Sequence, residues 1–168
     1  SIRKEGFAVS SWGCPVHRPR HHTRPQHTGH NVPASMSLAA FISDTWKSNG
    51  AYAVEYHDRW FSWPELRQAA SAMDEALTTG GLPQGRTVAL IARNTPLHYA
   101  ALLMLLSTGR CAAIMSPFQE PAALAKEIAR LAYPAVIGDA QDMRHESVRD
   151  AVRHIGAIGV ALDTTTGE

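Results

Sequence analysis

From Met36 onward, hydrophobic and polar positions follow two rhythms. Leu66, Ala69, Ala70, Met73, Ala76 and Leu77 return at steps of three and four, the spacing that lines one face of a helix. Ser62, Trp63, Pro64 and Glu65 precede them as a capping box: the Ser62 hydroxyl accepts from the Glu65 amide while the Glu65 carboxylate reaches back. Pro64 suits the first helical turn, and Gly80 supplies the stop. Thr87 to Ala92 is instead a nearly continuous apolar run, as expected of a strand buried on both faces of a parallel sheet.

The same two rhythms continue. Asn94 or Thr95 is placed to cap a helix that starts near Pro96, is apolar on almost every side and ends at Gly109, so it must be heavily buried. Cys111 to Met115 reads as a strand, Pro121 to Ala132 as a helix with Leu124, Ile128 and Leu131 inward, and Ala135 to Gly138 as a strand. Met143 to His154, with Val148, Ala151 and Val152 as its inner stripe, then forms one more helix before a strand over Ile158 to Leu162. Ahead of all these, Ala51 to Tyr56 and Arg59 to Phe61 flank His57 and Asp58 as a small hairpin. The fold class is α/β: a mostly parallel sheet with helices on both faces, preceded by a β-hairpin.

Residues 1–35 have neither rhythm. They are rich in Arg, Pro, His and Thr, and burial there cannot offset the entropy of ordering, so the expectation is a disordered leader joined to a folded part over 36–168. Met36 at this junction suggests that natural translation starts there; peptides covering His17 to His30 in native protein would sink that idea. Arg3 and Lys4 near the start are not followed by an apolar stretch of signal-peptide length. The longest apolar run, Tyr99 to Leu106, is well short of the roughly 20 residues of a membrane span.

Composition adds exclusions rather than leads. With 45% hydrophobic and 18% charged residues over 168, the chain suffices for one domain with a core. Its net charge of +1 does not advertise nucleic acid or an acidic membrane as a partner. Cys14 and Cys111 lie far apart, which argues against a disulfide framework and for a reducing, cytoplasmic location.

Candidate chemistry is sparse. Cys14 with His17, His21, His22, His27 and His30 invites a metal reading, but a zinc site needs paired ligands at short fixed spacing, and this series is irregular and broken by Pro19 and Pro25. His57 and Asp58 read as turn formers, His98 as a histidine bonded locally in the first turn of its helix, and Cys111 as an inert buried thiol. Trp46, Trp60 and Trp63 read as core or interface anchors, since no basic groove accompanies them. Neither the Walker pattern nor G-x-G-x-x-G occurs, and Gly80 and Gly81 or Thr164 to Gly167 lack the Lys and following helix of a phosphate cradle. No catalytic, cofactor-binding or metal-ligating residue is assigned.

The order and wording of these elements resemble the N-terminal subdomain of the adenylate-forming (AMP-binding) superfamily of acyl-CoA synthetases, adenylation domains and luciferases. Phe61, Ser62, Trp63, Pro64, Glu65 and Leu66 match its "[LF]-[TS]-[YW]-x-E-L" entry to a helix. Gly81 to Gly85 with Val88 and Ala89 fit its "G-x-x-x-G-D-x-V-A" turn, with Arg86 in place of the acidic residue. Asn94, Leu106, Gly109 and the run Cys111 to Pro117 follow its next step, Pro117 falling later than the simplest spacing, and Leu131 to Asp139 is similar to the strand after its third helix. The resemblance covers about Leu38 to Asp139.

What the resemblance implies is ATP- and Mg-dependent activation of a carboxylic acid as an acyl-adenylate, followed by transfer to a thiol, in most members CoA. The family's phosphate-binding loop, its adenine, Mg and ribose contacts and its C-terminal Lys all fall beyond Glu168, so the expectation is a ligase fragment that binds no cofactor and is inactive alone. The alternative is a stand-alone, non-catalytic α/β module that binds a partner or a second copy through the face the missing part covers. A Rossmann dehydrogenase half is disfavoured by the missing glycine fingerprint after Thr87 to Ala92.

Overall fold

The computed structural model describes residues 37–47 and 52–164. The leader, its histidines, Cys14 and Met36 lie outside them. Helix α1 (Leu38–Lys47), which the sequence reading did not identify, buries Ile42 and Trp46, one turn apart, against the core. Strands β1 (Tyr52–Tyr56) and β2 (Arg59–Ser62) pair antiparallel with Tyr56 opposite Arg59. His57 and Asp58 form the two-residue turn with φ of 49° and 57°, the left-handed pair that a tight hairpin demands and that Asp and His tolerate better than most residues.

Helix α2 (Trp63–Thr79) starts on the full capping box: the Glu65 amide donates to Ser62 Oγ at 3.4 Å, and Glu65 Oε2 accepts from the Ser62 amide at 2.7 Å. Leu66, Ala70, Met73 and Leu77 are its buried stripe, whereas Ala76, expected inside, is exposed. The helix stops at Gly80, but the left-handed residue is Gly81, with φ of 82°.

Four parallel strands form the main sheet in the order β4-β3-β5-β6: β3 (Thr87–Ile91), β4 (Cys111–Met115), β5 (Ala135–Asp139) and β6 (Ile158–Leu162). The crossovers are α3 (Pro96–Ser107), α4 (Pro121–Leu131) and the pair α5 (Ala140–Arg144) and α6 (Glu146–His154). Because side chains alternate along a strand, Val88 and Leu90 of β3 pack under α1, α2 and α3, and Ala89 and Ile91 pack under α4 and α6. Helices therefore cover both faces, as a buried parallel sheet requires. Gly138 of β5 lies so near β3 that a Cβ there would stand 2.9 Å from Ile91 Cδ1.

Three expectations change. The single helix over Met143 to His154 is two, because His145 takes an extended ψ of 130°, and the first begins at Ala140, directly on β5. Thr95 is the N-cap residue of α3, but its hydroxyl bonds the His98 ring instead of capping the helix backbone. Cys111 is exposed, not buried: β4 is an edge strand, paired only with β3 among the described residues, and Cys111 and Ile114 are its exposed positions. Of the tryptophans, Trp46 is core, Trp63 packs against it, and Trp60 is exposed with its ring 5.5 Å from that of Tyr52.

Candidate functional site

The winding of the sheet reverses once. From β3 the chain passes through α3 to β4 on one side, and from β4 it passes through α4 to β5 on the other side of β3. Helices leave to opposite faces at that point, so the carboxyl ends of β3 and β5 part and leave a crevice where doubly wound sheets bind ligands. Arg93, Asn94 and Thr95 follow β3 there, Asp139 ends β5, and Asp163 and Thr164 follow β6. The hairpin contributes Tyr56 to the rim.

Two cavities adjoin in this crevice. One, of about 490 Å³, has an apolar wall of Ala92, Leu102, Ile114 and Phe118 and meets Tyr99 and His98. The other, of about 450 Å³, is lined by Asp139, Gln141, Arg144, Asp163 and Thr164. Between them Arg93 grips Asp142 with both ends of its guanidinium, Nε to Oδ2 at 2.9 Å and Nη2 to Oδ1 at 2.6 Å. That bidentate pair raises the Arg93 pKa above its ordinary value, partly offset by desolvation.

His98 is 2% exposed. Its Nδ1 lies 2.8 Å from Thr95 Oγ1, and its Nε2 is buried without a hydrogen bond of ordinary geometry. Burial pushes its pKa down; the charges of Asp139 and Asp142 oppose that, and Arg93 reinforces it. Asp139 is 8% exposed, accepts from the Gln141 amide at 2.8 Å to cap α5, and accepts from the Thr164 hydroxyl.

Of the residues singled out from sequence, His98, the capping candidates Asn94 and Thr95, and Thr164 border this crevice, while the rest of the run to Gly167 lies outside the described residues. His57 and Asp58 sit at the hairpin tip and Cys111 at the opposite end of β4. Arg93, Asp139 and Asp142 were missed. Their one sequence signal is a charged residue just after a buried apolar run, and the run says nothing of which strand lies beside it. Among the described residues no group of three or more His, Cys, Asp or Glu is arranged to hold a metal. Nor do the crevice residues fit a triphosphate. Carboxylates of Asp139, Asp142 and Asp163 outnumber the guanidiniums of Arg93 and Arg144, and among the described residues no glycine-rich run presents its amides there.

No family model and no curated protein matches the chain. Solved structures do. A benzoate CoA ligase from Burkholderia xenovorans LB400 superposes with a TM-score of 0.63 at 20% identity, over 76% of this chain and 26% of that one. ATP-bound MatB from Rhodopseudomonas palustris gives 0.61 at 18% identity, over 74% and 24%. The chain carries part of the adenylate-forming ligase fold. The N-terminal subdomain of Klebsiella oxytoca NpsA, in complex with anthranilyl-AMSN, matches at 0.52 and 17% identity, over 62% and 28%. This piece of the ligase fold thus spans about a quarter of the length of the solved chains it matches.

Proposed function

We propose that this chain is the N-terminal part of an ATP-dependent acyl-adenylate-forming ligase and is inactive by itself. The reaction of the whole ligase joins a carboxylate to ATP, giving acyl-AMP and pyrophosphate. A thiol, CoA in this reading, then attacks the acyl carbon and releases AMP. ATP, Mg and CoA are handled by the rest of that protein, in the cytoplasm. The observation that supports this reading is the superposition of this chain on a benzoate CoA ligase and on ATP-bound MatB, over only about a quarter of their length. Among the described residues no helix is long and apolar enough to cross a membrane.

The test is exchange of labelled pyrophosphate into ATP with a panel of carboxylic acids, on this chain and on a version extended to the natural stop codon. Exchange by the longer protein alone is expected. Exchange by neither, with this chain folded, would replace the ligase reading with the second one, a non-catalytic module binding through its exposed apolar surface. Ile114 and Phe118, 58% and 91% exposed beside an edge of β4 that is unpaired among the described residues, favour that second reading.

A further inference from the structure

Among the described residues β4 ends the sheet on one side. The Cys111 amide donates to the Arg86 carbonyl, and the Met115 carbonyl accepts from the Ala92 amide, so the odd-numbered residues of β4 turn their backbone groups toward β3. That direction alternates along a strand, so the amides and carbonyls of Ala112 and Ile114 point away from the sheet, where no second strand among the described residues meets them. Edges are ordinarily guarded by charges, proline or a bulge. Here β4 pairs with β3 through five consecutive residues without a bulge, and no charged residue occurs from Cys111 to Gln119. Arg110, just before, is 4% exposed and ion-paired with Asp74. An uncharged edge selects an uncharged partner, and the same edge on a second copy is one. It also fits itself. In an antiparallel pair with Ala113 facing Ala113, each Ile114 stands opposite Ala112 of the other copy, a large side chain beside a small one. Both members of that pair turn their hydrogen-bonding groups to the seam, and the two-fold axis makes the pair twice. Moving the axis to Ile114 would set two isoleucines against each other, and moving it to Ala112 would set Ile114 against the buried Arg110.

We propose that β4 pairs antiparallel with β4 of a second copy of this chain, about a two-fold axis at Ala113, joining two four-stranded sheets into one. A seam of five residues is shorter than an interface of standard size, about 1,600 Å², so the dimer forms in the micromolar range. It is independent of the ligase reading, because pairing and pyrophosphate exchange are measured apart and fail apart.

In sedimentation equilibrium the full 168-residue chain should rise from 18.3 kDa toward twice that mass as its concentration passes through the micromolar range. Single cysteines then locate the axis. Across a non-hydrogen-bonded antiparallel pair the Cα atoms stand about 4.5 Å apart, within disulfide reach. With Cys14 and Cys111 replaced by Ser, Ala113→Cys should link two copies on mild oxidation, at least about tenfold faster than Ala112→Cys, which faces Ile114. Ala112→Pro removes an amide that points outward, so it should leave the thermal melt near that of the unaltered chain while weakening association at least about tenfold. A monomer at every concentration would overturn the proposal, as would a dimer in which Ala112→Cys links as fast as Ala113→Cys, or one that survives Ala112→Pro. If these variants do not fold, Ile114→Lys decides at an exposed position, and a dimer that persists in it rejects the seam.

Discussion

Ser62 and Glu65 show how much two residues settle locally. Each satisfies a backbone amide that the start of α2 would otherwise leave without a partner. Ser62→Ala is expected to cost about 1 kcal/mol, measured by urea unfolding. The bonds from the Ser62 amide and hydroxyl, aided by Arg59, hold the Glu65 carboxyl below its ordinary value of 4.5. A depressed acid stabilises the fold above its unfolded pKa, so this contribution is lost as pH falls from about 4.5 through the folded value. His98 acts in the same direction at higher pH. Burial keeps it neutral, so below its ordinary value of 6.5 the unfolded chain takes up a proton that the folded one refuses, and stability falls. Unfolding midpoints should drop between pH 7 and the folded pKa, and His98→Phe should flatten that part of the profile. An unchanged slope would mean that another group carries it.

At the scale of elements, the contacts that join helices and strands rest on residues with no local signature. Arg110 follows α3 and is 4% exposed, yet nothing in its neighbourhood of the sequence predicts a buried arginine. It ties the start of β4 to α2, bonding Asp74, Thr78 Oγ1 at 3.3 Å and Thr108 Oγ1 at 2.9 Å. Hydrogen bonds to a charged group each contribute about 1.5–3 kcal/mol, and Asp74 is half open to water, so Arg110→Ala should cost an amount within that range. Asp74→Ala should cost about as much or more if the guanidinium is then left stranded, and a double-mutant cycle measures the coupling. The helices read from sequence and those observed differ for the same reason. Met143 sits on an apolar period that runs into α6, but Asp139 caps a short helix at once and His145 turns the chain, so one helix becomes two.

For the molecule as a whole, the edge of β4, uncovered among the described residues, decides how the chain behaves alone. Cys111 to Met115 carries no charge or proline to discourage pairing with another strand, and Ile114 is open. Concentration-dependent association is expected in light scattering, and Ile114→Lys should reduce it while changing stability by less than about 0.5 kcal/mol, as exposed substitutions do. Monomeric behaviour at every concentration would count against an interaction surface there. By itself the sequence determined the elements that depend on near neighbours: the hairpin with its His57 and Asp58 turn, the capping box, the apolar strand runs, and through their alternation the α/β class and the likeness to a ligase fold. Periodicity and capping are short-range, so they are written in consecutive residues. Only the tertiary structure decided the strand order, and with it which strand lies at an edge, where Cys111 and Ile114 meet water, and which ends part to form the crevice. Arg93 with Asp142 and Asp139 with Thr164 are far apart along the chain, and their meeting depends on how the crossovers wind, which no local pattern records.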